Sequence, residues 1–76
     1  MKKYEIRYFF DKDNYITRVV NEVDTLDADT VLEKYAKGDY QIFPDGKGVL
    51  TRVNMNNVTY VKIWESKNSK HDTLVD

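Results

Sequence analysis

The chain has 76 residues, with 12 Lys and Arg against 13 Asp and Glu and a formal charge of −1. That length fits one domain and leaves no room for a second, and the balanced charge excludes a global basic excess for holding nucleic-acid phosphates. The absence of cysteine removes disulfide staples, Cys-ligated zinc and thiol catalysis together.

A domain this small buries only about 60% of the surface its unfolded chain exposes. Six Tyr, three Phe and one Trp offset that, since each large ring can bury roughly 150–250 Å². In chain order, residues 3–10 alternate polar and apolar, with Tyr4, Ile6, Tyr8 and Phe10 on one face, which predicts a strand. Four turn-formers, Asp11-Lys12-Asp13-Asn14, follow. Residues 15–23 are then rich in β-branched side chains (Ile16, Thr17, Val19, Val20, Val23), so the pair reads as a β-hairpin.

Asp24 or Thr25 reads as a helix N-cap, with Asp27 and Asp29 in the first turn. Ala28, Val31, Leu32, Tyr35 and Ala36 form one apolar stripe at helical spacing, and Gly38 supplies the stop. The helix is therefore expected over 27–37. Residues 40–43 form a brief extended segment ended by the turn Pro44-Asp45-Gly46. Residues 49–55 and 58–64 read as a second hairpin about Asn56-Asn57. The polar, aperiodic residues 66–76 read as a disordered tail behind a domain of 1–65. The fold class this predicts is α+β: a small antiparallel sheet of four strands, five if 40–43 joins, in the order ββαββ, with one helix packed on one face.

Possible sites of chemistry each meet a structural explanation. Gly46-Lys47-Gly48 leads into a strand with no Ser or Thr after the lysine, so it reads as a turn and not a phosphate loop. Asp11-Lys12-Asp13-Asn14 opens like a calcium loop, but Tyr15 and Ile16 stand where a ligand and a glycine are needed. The one histidine, His71, and the serines Ser66 and Ser69 lie in the expected tail, without a frame for a triad or a zinc site. The carboxylates fall mostly in turns and caps rather than a cleft that would separate their pKa values. The expectation is a non-enzyme with no cofactor and no metal. The opening residues carry no apolar signal core and no stretch nears about 18 apolar residues, so a cytoplasmic location without a membrane partner is expected.

One constellation stands out. With the strands in a single sheet, parity sends Tyr4, Ile6, Tyr8, Phe10, Val19, Val49, Val53, Met55, Val61 and Ile63 toward the helix. The opposite face then gathers Arg7, Phe9, Arg18, Arg52, Tyr60, Lys62 and Trp64. Cations interleaved with rings on an open sheet suit single-stranded nucleic acid, with rings stacking on bases and cations meeting phosphates. The same parity also puts Ile16, Val20 and Leu50 on that face, and Glu5 and Glu22 beside the cations. An apolar, charge-offset surface better suits a protein partner or a second copy of the chain. The leading expectation is thus a small interaction module working through this open face, with nucleic acid as the alternative. The wealth of Lys, Asn, Asp and Tyr is that of an AT-rich bacterial or phage gene. The segment Val53-Asn54-Met55-Asn56-Asn57-Val58-Thr59-Tyr60-Val61 resembles a strand–turn–strand element common among small proteins of Gram-positive bacteria and their phages. That resemblance is too generic to carry any functional residue across, and it implies at most an accessory protein of such a source.

Overall fold

The computed structural model describes residues 1–45 and 47–66. Residues 67–76 of the expected tail, with His71 and Ser69, lie outside the described residues, as does Gly46. Ser66, the first residue of that expected tail, is described, and its amide donates to the Lys3 carbonyl at 2.7 Å. The elements run β1 (Lys2–Phe9), β2 (Tyr15–Glu22), α1 (Ala28–Ala36), β3 (Tyr40–Pro44), β4 (Leu50–Asn54), a 3₁₀ turn (Met55–Asn57) and β5 (Tyr60–Glu65). The chain is a small α+β domain, and no helix among the described residues is long and apolar enough to cross a membrane.

The single four-stranded sheet is corrected. The strands form two antiparallel sheets, one of three strands in the order β2-β1-β5 and one of two strands, β3-β4. The expected second hairpin fails because β4 and β5 do not pair: β4 pairs back with β3, and β5 crosses to the free side of β1. The segment at Asn56-Asn57 is a 3₁₀ turn closed by the Val58 amide donating to the Met55 carbonyl (3.1 Å). It carries the chain from one sheet to the other. The β3–β4 connection is built by Asp45, whose side chain accepts from the Lys47 and Val49 amides at 2.8 and 2.9 Å. Gly48 there takes φ +84°, a conformation that disfavours any residue with a Cβ.

The helix forms where its stripe predicts it, but its N-cap is Asp27, not Asp24 or Thr25. The Asp27 side chain accepts from the Thr30 amide at 2.9 Å. Val31 is fully buried, Tyr35 and Leu26 pack beside it, and α1 lies against β5. The helix and the β3–β4 hairpin together cover one face of the first sheet, closing a core of Tyr4, Ile6, Tyr8, Val20, Val31, Phe43 and Val53. Tyr8 and Phe43 stack across the two sheets with ring centres 5.8 Å apart.

The facing of β2 is also corrected. β1 and β2 pair with Phe9 opposite Tyr15, Arg7 opposite Thr17 and Ile6 opposite Arg18. The loop is 10–14 rather than 11–14, because the Phe10 amide already bonds the Asn14 carbonyl at 2.8 Å. Within it the Asp11 carboxylate accepts from the Asn14 side chain and from the Asp13 and Asn14 amides, which holds its pKa below the usual aspartate value. A loop longer by one residue reverses which side chains of β2 face inward. Ile16, Arg18, Val20 and Glu22 turn to the covered face and Val19 to the open one, the reverse of the expectation. Phe10 and Val49, expected inside, are exposed, and Leu50 lies on the outer face of the hairpin at 71% exposure.

Candidate functional site: the open face of the first sheet

Of the seven residues predicted to share a face, the structure brings five together. Arg7 and Phe9 on β1 stand beside Lys62 and Tyr60 on β5, with Trp64 opposite Glu5. All five lie on the face that neither the helix nor the hairpin covers. Arg18 and Arg52 are not there. Arg18 belongs to the covered face by register with Ile6. Arg52 belongs to the second sheet, opposite Ile42, where its guanidinium lies 4.3 Å from the centre of the Tyr40 ring.

In their place the corrected register adds Tyr15, Thr17 and Val19. Phe9 is the hub of the arrangement. Its ring stacks on Tyr60 at 4.6 Å between centres and 9° between planes, and meets Tyr15 at 5.0 Å and 47°. Three adjacent strands thus contribute one continuous row, Tyr15–Phe9–Tyr60. Aromatic pairs of this kind contribute about 0.5–1.5 kcal/mol each beyond their buried area, enough to hold the row in one geometry before anything binds. Phe9 itself is buried, while Tyr15 and Tyr60 present their outer sides to solvent.

The cations are tied to the same rings. The Arg7 guanidinium carbon lies 4.4 Å from the centre of Tyr15 and 5.1 Å from Trp64. The Lys62 ammonium lies 5.5 Å from Phe9 and 5.9 Å from Tyr60. Each such contact at a solvent-exposed site is worth about 0.5–1 kcal/mol. Arg7 Nε is buried without a hydrogen-bond partner, so the guanidinium is fixed by stacking rather than by an acceptor. The face can therefore offer flat rings at fixed positions and a planar cation already stripped of part of its water, a combination that suits docking. Tyr15, absent from the expected site, could have been found from sequence by noticing that an odd loop puts it beside Phe9.

The covered face holds the other polar cluster. Arg18 is enclosed by the rings of Tyr35 and Phe43, at 4.6 and 4.5 Å, and donates to Gln41 Oε1 at 3.0 Å and to Tyr8 Oη at 3.4 Å. The Tyr8 hydroxyl donates to the Tyr35 carbonyl at 2.6 Å, and burial pushes its pKa up. Glu22, only 6% exposed, accepts from the Tyr35 hydroxyl and from Lys34 Nζ, the latter at 2.9 Å. Those two bonds, Tyr35's first, hold the Glu22 carboxyl below the ordinary glutamate range. The Glu22 bond raises Lys34, while burial and then Glu22 raise Tyr35. Each member's partners lie within the fold, so the cluster is a clasp between β2, α1 and β3.

No cluster of three or more His, Asp or Glu positioned to hold a metal ion occurs among the described residues. No family model matches the sequence, and neither a curated protein nor a solved structure is significantly similar to it.

Proposed function

We propose that the chain is a non-enzymatic interaction module that docks on another protein through the open face of its first sheet. The observation that carries this is the Tyr15–Phe9–Tyr60 row flanked by Arg7, which is held over Tyr15 and Trp64. Tyr, Trp and Arg are the residues that dominate interface energetics when they are rigid and central. Here the rings and Arg7 lie against one another in the free chain, which lowers the side-chain entropy lost on docking. The second exposed apolar surface, Ile42 and Leu50 on the outer side of the β3–β4 hairpin, stands on two strands only and has no comparable ring cluster. We read the protein as an accessory factor of a bacterium or phage that acts in the cytoplasm.

Single-stranded nucleic acid is the second reading, favoured by Lys3, Arg7 and Lys62 on one face against Glu5. Two observations weigh against it. Arg18 and Arg52 lie elsewhere, and the stack spends one flat side of Tyr60 on Phe9, which is itself buried and leaves no ring for a base.

Amide NMR spectra recorded with mixed-sequence single-stranded oligonucleotides, at low and moderate salt, separate the two. The docking reading expects no shifts at Arg7, Tyr15, Tyr60 or Trp64. Shifts there that fade as salt rises would put nucleic acid first. Trp64→Ala is expected to keep the wild-type circular-dichroism spectrum while removing partner binding; an unfolded variant would show that Trp64 is a core residue and sink the proposal.

A further inference from the structure

The three-stranded sheet has two outer edges, and they are built differently. The β5 edge has α1 packed against it and carries Lys62 and Glu65. The β2 edge has no strand hydrogen-bonded to it among the described residues, and the end of the β3–β4 hairpin, Pro44 and Asp45, lines a groove with Thr17, Arg18 and Val19. Open edges are ordinarily blunted by proline, an outward charge or a bulge. β2, Tyr15-Ile16-Thr17-Arg18-Val19-Val20-Asn21-Glu22, contains no proline and pairs residue for residue with β1 along its whole length. Its two charged side chains, Arg18 and Glu22, both turn to the covered face, where Glu22 pairs with Lys34 and Arg18 lies between two rings and donates to Gln41. The edge strand therefore shows no charge on the open face and offers a regular row of backbone groups.

We infer that a second copy of this chain pairs antiparallel along β2, with Val19 on the twofold axis. The exposed apolar residues of this segment are Tyr15 (47%) and Val19 (53%) on the open side of β2 and, immediately after the strand where the chain enters a turn, Val23 (50%). They are spaced symmetrically about Val19. Antiparallel pairing on that axis sets Val19 against the second copy's Val19, and Tyr15 against the second copy's Val23, twice over. Thr17 meets Asn21 in the positions between. Directly opposed residues share a face in an antiparallel ladder, so the three exposed apolar positions cover one another, and aromatic–β-branched and β-branched pairs are among the favourable cross-strand neighbours. On the covered side this register sets Arg18 against Val20 and Ile16 against Glu22, and it brings both Glu22 and Arg18 of the second copy diagonally near Arg18. Moving the axis by one residue to Arg18 would instead oppose two arginines, which is unfavourable. The product is a six-stranded sheet with a continuous open face in which two aromatic rows are related by the dyad.

This pairing engages β2, whose Tyr15 also belongs to the aromatic row proposed for docking, so the two are separated by Val19→Lys, which lies outside that row, and Trp64→Ala, which lies away from the edge. In the cysteine-free chain only the residue on the axis opposes its own copy, and opposed Cα atoms about 4.5–5.5 Å apart meet disulfide geometry. Val19→Cys in a glutathione redox buffer is expected to form a covalent dimer well ahead of Thr17→Cys and Asn21→Cys. Sedimentation equilibrium of the unmodified chain is expected to show a monomer–dimer equilibrium. Val19→Lys is expected to abolish it with the amide spectrum otherwise preserved, while Trp64→Ala leaves it intact. A wild-type chain that stays monomeric up to millimolar concentration would overturn the inference. So would Thr17→Cys cross-linking as fast as Val19→Cys, or a dimer lost in Trp64→Ala but kept in Val19→Lys.

Discussion

The two faces of the first sheet carry similar side chains in opposite circumstances. On the covered face Arg18 lies between the rings of Tyr35 and Phe43, and on the open face Arg7 lies over Tyr15 and Trp64. Both arginines stack on two rings, but among the described residues only Arg18 also donates to other side chains, Gln41 at 3.0 Å and the Tyr8 hydroxyl at 3.4 Å, in an enclosed setting. The difference shows that an aromatic–cation pattern in sequence does not mark function by itself. What the rest of the chain lays over the pattern decides whether it becomes internal scaffolding or a surface.

The comparison can be broken most forcefully from the covered side. Ile6 is fully buried at the centre of the core, and Ile6→Ala is expected to lower stability by about 2–5 kcal/mol. That is a large share of the stability of so small a domain, and urea denaturation at equilibrium measures it. The arginine pair sharpens the contrast. Arg18→Ala leaves Gln41 and the Tyr8 hydroxyl short of a partner beneath the hairpin and is expected to cost about 1–3 kcal/mol. Arg7→Ala loses two ring contacts at a partly exposed site and is expected to cost about 1–2 kcal/mol, whereas Arg18→Ala loses two ring contacts in addition to its hydrogen bonds. Equal losses in the two variants would mean that the faces are equally enclosed, against the register.

The smallest effect lies in pH. The Glu22 pKa is lowered in the folded chain, so its contribution is present above the ordinary glutamate range and is lost as pH falls through that lowered value. Lys34 and Tyr35 are raised, so their contributions are present at neutral pH and fade as alkaline pH rises through their raised values. Thermal melts across pH are expected to show a stability plateau that slopes down at both ends. Glu22→Gln is expected to shrink the acid-side slope, and an unchanged slope would assign it to other carboxylates.

Local structure was legible in the sequence wherever one segment decides it. Alternation marked β1, the stripe from Ala28 to Ala36 marked the helix, and Asp45 after Pro44 marked the second turn. Two things were not legible. Whether β5 pairs with β4 or with β1 depends on which packing buries more, and Val58 to Trp64 suits either neighbour by composition. The facing of β2 hung on whether Phe10 belongs to the strand or the loop, and a one-residue ambiguity inverts every side chain that follows. The same slip explains the candidate site. Arg7, Phe9, Tyr60, Lys62 and Trp64 sit on strands whose parity was read correctly, whereas Arg18 was assigned to the wrong face of β2 and Arg52 to a sheet it does not join.

The place of β5 in the sheet order has a consequence for how the chain is made. β1 is the central strand, yet its partner on one side lies more than fifty residues further along. During synthesis β1 and β2 can close as soon as both have emerged, but the other edge of β1 stays unpaired until almost the whole described chain is available. Long-range pairing of that kind slows folding, and an open strand edge in a half-made chain is a point where nascent copies can stick together. Completion of the sheet by its last strand therefore acts as the step that ends this exposure.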